Sequence, residues 1–268
     1  MKIGKATVPR TAICTSDEHT IVIRGRDLSK DLIGRVSFVE HFFLLLVGRL
    51  PSAGETAVLN ATLVAIAEHG LVPSVQAARM TFAAAPDAMQ GAVAAGILGC
   101  GSVVLGSSET AGRLYSEIDA QVQAGTPVND AALAVMKAWR AAGRSIPGYG
   151  HPLHKERDER VGALFDAAKA AGTSLRFVEI AEACERLLPE VLGKPLKLNV
   201  SGAIPSVLLG AGFPVEGLKG VPMLARTAGL IAHMVEEIRQ PIGFALSYQA
   251  TREMEYQGDV PAGFGTHQ

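Results

Sequence analysis

The stretch Ile146-Pro147-Gly148-Tyr149-Gly150-His151-Pro152-Leu153-His154-Lys155, with Asp158-Glu159-Arg160 just beyond it, decides how this chain is read. Pro147 has no amide to donate, and Gly148 and Gly150 accept positive φ, so the run cannot continue a helix. It predicts a tight turn that bares backbone amides and carbonyls. The turn ends in an imidazole, His151, and Arg160 follows nine residues later. Exposed backbone beside His and Arg suits an anionic ligand whose oxygen must be hydrogen-bonded or protonated. The same residue types also make a plain interhelical loop with a solvated histidine.

Outward from this turn the chain reads as helices. Residues 1–30 are irregular and β-prone, with Thr20-Ile-Val-Ile-Arg24 as a short strand. After them the 3.6-residue period takes over. Ser37-Phe-Val-Glu40 is a capping box ahead of an apolar run, and its helix stops near Gly48 and Pro51. Further helices are expected at about 53–69, 74–85, 88–99, 108–124, 129–143, 158–171, 174–188, 203–211 and 222–238. Gly and Pro clusters separate them, and no fixed-period repeat is present. The fold class is all-α.

Composition agrees. Of 268 residues, 48% are hydrophobic, 19% charged and only 5% aromatic, which favours closely packed helices over a β-sandwich. A net charge of −1 without charge blocks argues against nucleic acid or an anionic membrane as partner. Cys14, Cys100 and Cys184 lack metal-ligand spacing and are odd in number, so no disulfide framework and no metal are expected, and a cytoplasmic location fits. The start, MKIGKATVPRTAI, has no apolar signal core, and Phe42–Val47 is too short to span a bilayer.

Four other places hold chemistry-bearing residues. His69 sits at a helix end before Gly70, as a ligand or as a favourable capping charge. Gly99–Glu109 is glycine-rich and opens a helix near Ser107, whose amides face an anion or merely permit close packing. In Lys197-Leu-Asn-Val-Ser-Gly202, Asn199 and Ser201 cap the next helix. Arg226 lies on a largely apolar helix, where Leu224, Ala228, Ile231 and Ala232 share a face, and a buried arginine needs an anion. On the same helix His233 and Glu237, four apart, are expected to pair on the surface.

The order and spacing of these signals resemble the citrate synthase superfamily, and within it the short citryl-CoA lyase-like members. The likeness runs from Asp31-Leu-Ile-Gly34 and Leu45-Leu-Val-Gly-Arg-Leu-Pro51 to the Arg226 helix. Its most specific motif is Pro147-Gly-Tyr-Gly-His151 with Asp158 and Arg160; the family reads PGxGH with a DPR triplet, so Glu159 replaces proline. The resemblance implies a two-domain helical fold with a ligand cleft: a large domain of 1–106 plus 201–268 and a small domain of 107–200. It also implies a homodimer or higher homo-oligomer.

Carried over by residue, the resemblance makes coenzyme A the cofactor, bound as an acyl-CoA thioester, with a polycarboxylate beside it. His151 would hydrogen-bond the ketone or tertiary alcohol, and His69 would hold the same ligand. Arg160 and Arg226 would pair with its carboxylates, with Asn199 nearby. The backbone of Pro147, Gly148, Tyr149 and Gly150 would receive the adenine, and Lys155 would lie near the phosphates. Two positions depart. Val104 or Leu105 stands where the synthases carry the histidine of an HGG motif, and Ser201 stands where a catalytic aspartate follows Asn-Val. The ligand-holding half of the site is thus retained while the acetyl-handling half is changed. Three activities fit: a citryl-CoA lyase, a lyase or transferase acting on another thioester, and a non-catalytic binder of coenzyme A or a tricarboxylate.

Overall fold

The computed structural model describes residues 9–150 and 157–264. Helices carry the fold, as the sequence predicts. A small antiparallel meander precedes them: β1 (Cys14–Ser16), β2 (Ile21–Ile23) and β3 (Arg26–Asp27), with Thr15 opposite Val22 and Val22 opposite Asp27. The sequence marks only β2. The Asp17 carboxylate accepts the amides of His19 and Thr20 at 2.8 and 2.7 Å, a turn that folds β1 onto β2.

The helices are α1 (Phe38–Val47), α2 (Ala53–Ala67), α3 (Pro73–Ala84), α4 (Met89–Leu98), α5 (Gly106–Gln123), α6 (Val128–Ala141), α7 (Glu159–Ala170), α8 (Arg176–Leu192), α9 (Val200–Gly210), α10 (Gly220–Arg239) and α11 (Gly243–Glu253). The Ser37–Glu40 capping box is present, and α1 ends at Gly48 with φ 89°. A second box, Ser52–Glu55, starts α2. Sequence reasoning stopped the eighth helix at 188, yet α8 continues through Pro189 to Leu192. It missed α11.

Contacts divide the chain into two compact units. The first comprises residues up to Glu68 and Cys100–Arg226, the second His69–Gly99 and Thr227 onward. This division differs from the 107–200 segment above, whose helices α5–α8 pack with α2 and α9 inside the first unit. Trp139, Tyr115, Phe43, Ile118 and Leu188 are among its fully buried side chains. The core of the second unit is Val75, Ala78, Phe82, Ala92, Leu230 and Met234.

A charged network also holds the second unit. Arg79 of α3 is buried; its Nε donates to Glu237 Oε2 at 2.6 Å, its Nη1 to Glu236 and its Nη2 to the Gln240 carbonyl at 3.0 Å. Glu237 also accepts the Ile242 and Gly243 amides at 2.9 and 2.7 Å, which fixes the start of α11. The expected His233–Glu237 surface pair is therefore corrected. Glu237 is buried against Arg79, and His233 Nδ1 lies 3.8 Å from Glu236 instead. Helical phase explains this, because residues three and four apart flank one another and tertiary contact selects which turns inward. The apolar face noted on α10 is not the buried one: Ala228, Ile231 and Ala232 are exposed, while Ala225, Arg226, Leu230, Met234 and Glu237 are buried. Among the described residues no helix is long and apolar enough to cross a membrane.

Candidate active site

Residues 147–150 form the predicted turn, with Gly148 at φ 89° and Gly150 at φ 81°. It pairs with the strand-like approach to α9. The Gly150 amide donates to the Lys197 carbonyl at 2.7 Å and the Asn199 amide to the Gly148 carbonyl at 2.9 Å. This makes an antiparallel bridge of Tyr149 with Leu198. The bridge uses the groups of Gly148 and Gly150 and turns those of Tyr149 the other way. Among the described residues the Tyr149 amide and carbonyl have no partner.

The turn lies backbone-to-backbone on α9. A Cβ at Gly148 would stand 2.7 Å from the Gly202 Cα. One at Gly202 would meet Leu198 Cδ1 at 2.5 Å, the Gly148 carbonyl oxygen at 2.8 Å and the Tyr115 hydroxyl at 2.9 Å. Gly202→Ala is accordingly expected to lower stability by about 1–3 kcal/mol through overpacking, read from the urea midpoint. The Tyr149 ring points inward, where its hydroxyl donates to the Ala181 carbonyl at 2.9 Å. That hydrogen is then committed, so Tyr115 donates in the 3.0 Å contact between the two hydroxyls. Burial pushes both phenols well above their ordinary values and the neighbouring Cys184 thiol up to about 12. Cys184 is a neutral thiol at pH 7 and no nucleophile. His151 and Lys155 lie outside the described residues.

Arg160 and Arg226 converge on the C-terminal carbonyls of α2. Arg160 Nη1 is 3.5 Å from the Ala65 carbonyl and Arg226 Nη2 is 3.5 Å from that of Ile66. Their counter-charges differ. Asp158, the N-cap of α7, receives the Arg160 amide and Nε at 3.0 Å each and Nη2 at 2.7 Å. Burial opposes ionisation of Asp158, but Arg160's hydrogen bonds outweigh it and hold the carboxyl below its usual range. Arg160 is thereby neutralised. Arg226 is not: it is 3% exposed, and among the described residues its Nε and Nη1 have no hydrogen-bond partner. Glu159, where the family has proline, is the first residue of α7. Proline's missing amide is harmless there, and a carboxylate suits the same position through the helix dipole. A groove of about 380 Å³, lined by Asn60, Val64, Arg160 and Leu164 among others, opens beside Arg160 between α2 and α7.

Asn199 caps α9, its Oδ1 accepting the Ser201 amide at 2.9 Å, while its Nδ2 donates to the Gly150 carbonyl at 2.6 Å. Ser201 sits half-buried in the first turn of α9. Val104 is half-buried against the main core. Leu105 has φ 68° and precedes α5, which no side chain caps. A left-handed leucine costs roughly 1–2 kcal/mol, and burying its side chain returns roughly 1.5–3 kcal/mol, so the strain is sustained. His69 is exposed just past the end of α2 and belongs to the second compact unit. The turn, Asn199, Ser201, Arg160 and Arg226 all lie in the first unit. Sequence reasoning missed Tyr115 and the neutralising role of Asp158; only the Asp-x-Arg spacing hints at the second. Among the described residues no three His, Cys, Asp or Glu side chains are placed to hold a metal ion.

Residues 53–243 match the family model described as citrate synthase, C-terminal domain. Citryl-CoA lyase from Hydrogenobacter thermophilus superposes with a TM-score of 0.82 at 32% identity, over 97% of this chain and 99% of that one. ATP citrate lyase from Methanosaeta concilii, solved in complex with (3S)-citryl-CoA, shares the fold at a TM-score of 0.76 and 22% identity, over 96% of this chain and 43% of that one. Citrate/2-methylcitrate synthase of Bacillus subtilis is 30% identical over 75% of this chain and 53% of its own length. The chain spans about half the length of the curated relatives it matches. Over that shared span, which contains the turn and both arginines, the chain belongs to the citrate synthase family.

Proposed function

We propose that this protein is a citryl-CoA lyase-like enzyme. It would cleave citryl-CoA, or a related 3-hydroxyacyl-CoA, to acetyl-CoA and oxaloacetate, or a related oxo acid. One observation carries the reading. Arg226 is a buried guanidinium with two donors unpaired among the described residues, reaching the same end of α2 as Arg160, in a chain that matches citryl-CoA lyase over almost its whole length. Leaving a buried charge uncompensated costs several kcal/mol. A ligand carboxylate supplies the missing partner in bidentate geometry.

In this reading His69 adds to the polycarboxylate subsite, and residues 107–200 act as the small domain. The free amide and carbonyl of Tyr149 offer a donor and an acceptor on one edge, which suits adenine. Lys155 reaches the phosphates. His151 removes the proton of the tertiary hydroxyl. The carbon–oxygen bond becomes the ketone of the oxo acid as the adjacent carbon–carbon bond breaks. Its electron pair moves into the thioester enolate, whose carbon then takes back a proton to give acetyl-CoA. Uncapped amides of α5 and the Ser201 hydroxyl are the groups available to stabilise that enolate. No metal enters the reaction, and the protein works in the cytoplasm as a homo-oligomer. Exposed Ile231, Val235 and Ile238 on α10 support a subunit contact there.

The second reading, a different acyl-CoA substrate, is favoured by Val104 and Ser201. The positive φ of Leu105 supports the register that sets Leu105 on the first glycine of HGG and Val104 on its histidine. Val104 cannot act as the family's carbonyl donor, and Ser201 cannot act as its carboxylate base. Ser201→Asp separates the two readings. The helix N-terminus accepts a carboxylate, and restored acid–base chemistry is expected to raise citryl-CoA cleavage by about 10²–10⁴-fold. An unchanged or lower rate, with turnover of a bulkier thioester by the wild type, would favour the second reading.

A further inference from the structure

Asn199 was expected beside the substrate, and Tyr149 in the cofactor-binding turn. Their side chains work on the protein itself. Both ends of the Asn199 amide are engaged by backbone: Oδ1 by the Ser201 amide at 2.9 Å and Nδ2 by the Gly150 carbonyl at 2.6 Å. The Tyr149 hydroxyl is held 2.9 Å from the Ala181 carbonyl of α8 and 3.0 Å from the Tyr115 hydroxyl of α5. The turn at 147–150 is therefore tied to three helices. Asn199 links it to the start of α9, Tyr149 pins it to α5 and α8, and Gly148 against Gly202 sets the depth at which it sits.

We propose that Asn199 and Tyr149 are positioning residues that lock the Pro147–Gly150 turn in one conformation, fixing the Tyr149 backbone edge and the direction in which the chain leaves Gly150 towards His151. The proposal rests on the reading of this turn as the coenzyme A site. A turn with two positive-φ glycines has many conformations when free. Ordering it on binding would weaken affinity by the fraction of time the competent form is absent. Asn199 removes that penalty by closing Gly150 on its acceptor side, where the bond to Lys197 closes only its donor side. Tyr149 does so from beneath. Its ring cannot swing out without giving up the bond to the Ala181 carbonyl and the contact with the Tyr115 hydroxyl.

Asn199→Asp tests this with little change elsewhere. Aspartate keeps the acceptor that caps α9 but has no hydrogen for the Gly150 carbonyl. Tyr149→Phe removes the hydroxyl and keeps the ring. Tyr115→Phe removes one of the two bonds to that hydroxyl and leaves the one to Ala181, so its effect should be the smallest of the three. The full chain is titrated calorimetrically with coenzyme A and, separately, with citrate, and backbone amide exchange is followed at Gly150 and Asn199. Asn199→Asp and Tyr149→Phe should raise the coenzyme A dissociation constant about tenfold, the size of one lost buried hydrogen bond. Citrate affinity should stay within about twofold in both, since Arg226 is untouched. Exchange at Gly150 should quicken about tenfold while the centre of α5 keeps its protection.

Unchanged exchange and unchanged coenzyme A affinity in Asn199→Asp would overturn the proposal. So would an equal loss for both ligands, because a general loss of stability moves them together. Wild-type protein that takes citrate but no coenzyme A would remove the cofactor reading alone. Exchange at Gly150 then decides whether these two side chains set the turn.

Discussion

Replacing Arg226 with methionine should raise the melting temperature of the ligand-free protein and sharply lower its affinity for citrate. These opposite signs follow from one fact. Arg226 is 3% exposed; among the described residues its Nε and Nη1 are unpaired, and its bond to Ile66 is 3.5 Å long. A buried donor without a partner costs about 1–3 kcal/mol, and an apolar side chain of similar volume relieves that cost. For a chain of this size each kcal/mol moves the midpoint by about 2–4 °C. The ligand-bound state has the opposite balance. Truncating one partner of a buried, hydrogen-bonded ion pair costs about 2–5 kcal/mol or more in binding. Citrate affinity should therefore drop by about 30-fold to several thousand-fold. Scanning calorimetry with and without citrate reads both effects. A fall in the melting temperature of the free variant would make Arg226 a structural residue and remove the main support for a carboxylate subsite.

Glu237→Gln should be the most damaging conservative change in the second unit, costing about 3–5 kcal/mol. Glu237 accepts from Arg79 Nε and from the Ile242 and Gly243 amides. Glutamine keeps one acceptor for the amides but turns its NH₂ towards Arg79, donor against donor, and leaves the buried guanidinium without its closest counter-charge. Glu236, 53% exposed, cannot replace it. The change should also remove a pH dependence. Burial raises the Glu237 carboxyl, but the Gly243 amide, Arg79 and the Ile242 amide outweigh it and hold the group below its ordinary value. Because the folded value is the lower one, this stabilisation is complete above the ordinary carboxylate range. It is lost as the pH falls through the depressed value. His233 Nδ1 lies 3.4 Å from Arg79 Nη1 and 3.8 Å from the Glu236 carboxylate. Urea midpoints from neutral to acidic pH should fall for the wild type below the carboxylate range and fall less for Glu237→Gln. Parallel curves would show that Glu237 does not carry the acid sensitivity.

The two networks differ in how far the sequence reveals them. The turn at 147–150 was legible because Pro and Gly act on their own backbone. So was Arg226, because a charge on an apolar helix states its own need for a partner. Ser37 and Glu40 were legible for the same local reason. The Arg79–Glu237 pair was not, since its members lie 158 residues apart and neither breaks a local pattern. Glu237 reads instead as a surface i,i+4 partner of His233, because helical spacing gives adjacency but not which side faces the core. Tyr149 reads as a residue of an exposed turn, and only the packing of α5 and α8 turns its ring inward. Prolines 189 and 205 lie inside helices where sequence rules place boundaries, since tertiary burial outweighs the one backbone bond each removes. The 107–200 boundary came from resemblance, and contact density divides the chain elsewhere.

What Ser201 and Val104 do to the chemistry is decided by the products formed. Mass spectrometry of the purified protein incubated with citryl-CoA, scored against His151→Ala, tests the proposed reaction most directly. A citryl-CoA lyase releases acetyl-CoA and oxaloacetate in equal amounts, and loses both when His151 is replaced. Intact citryl-CoA after prolonged incubation, or equal cleavage by the His151→Ala variant, would contradict it.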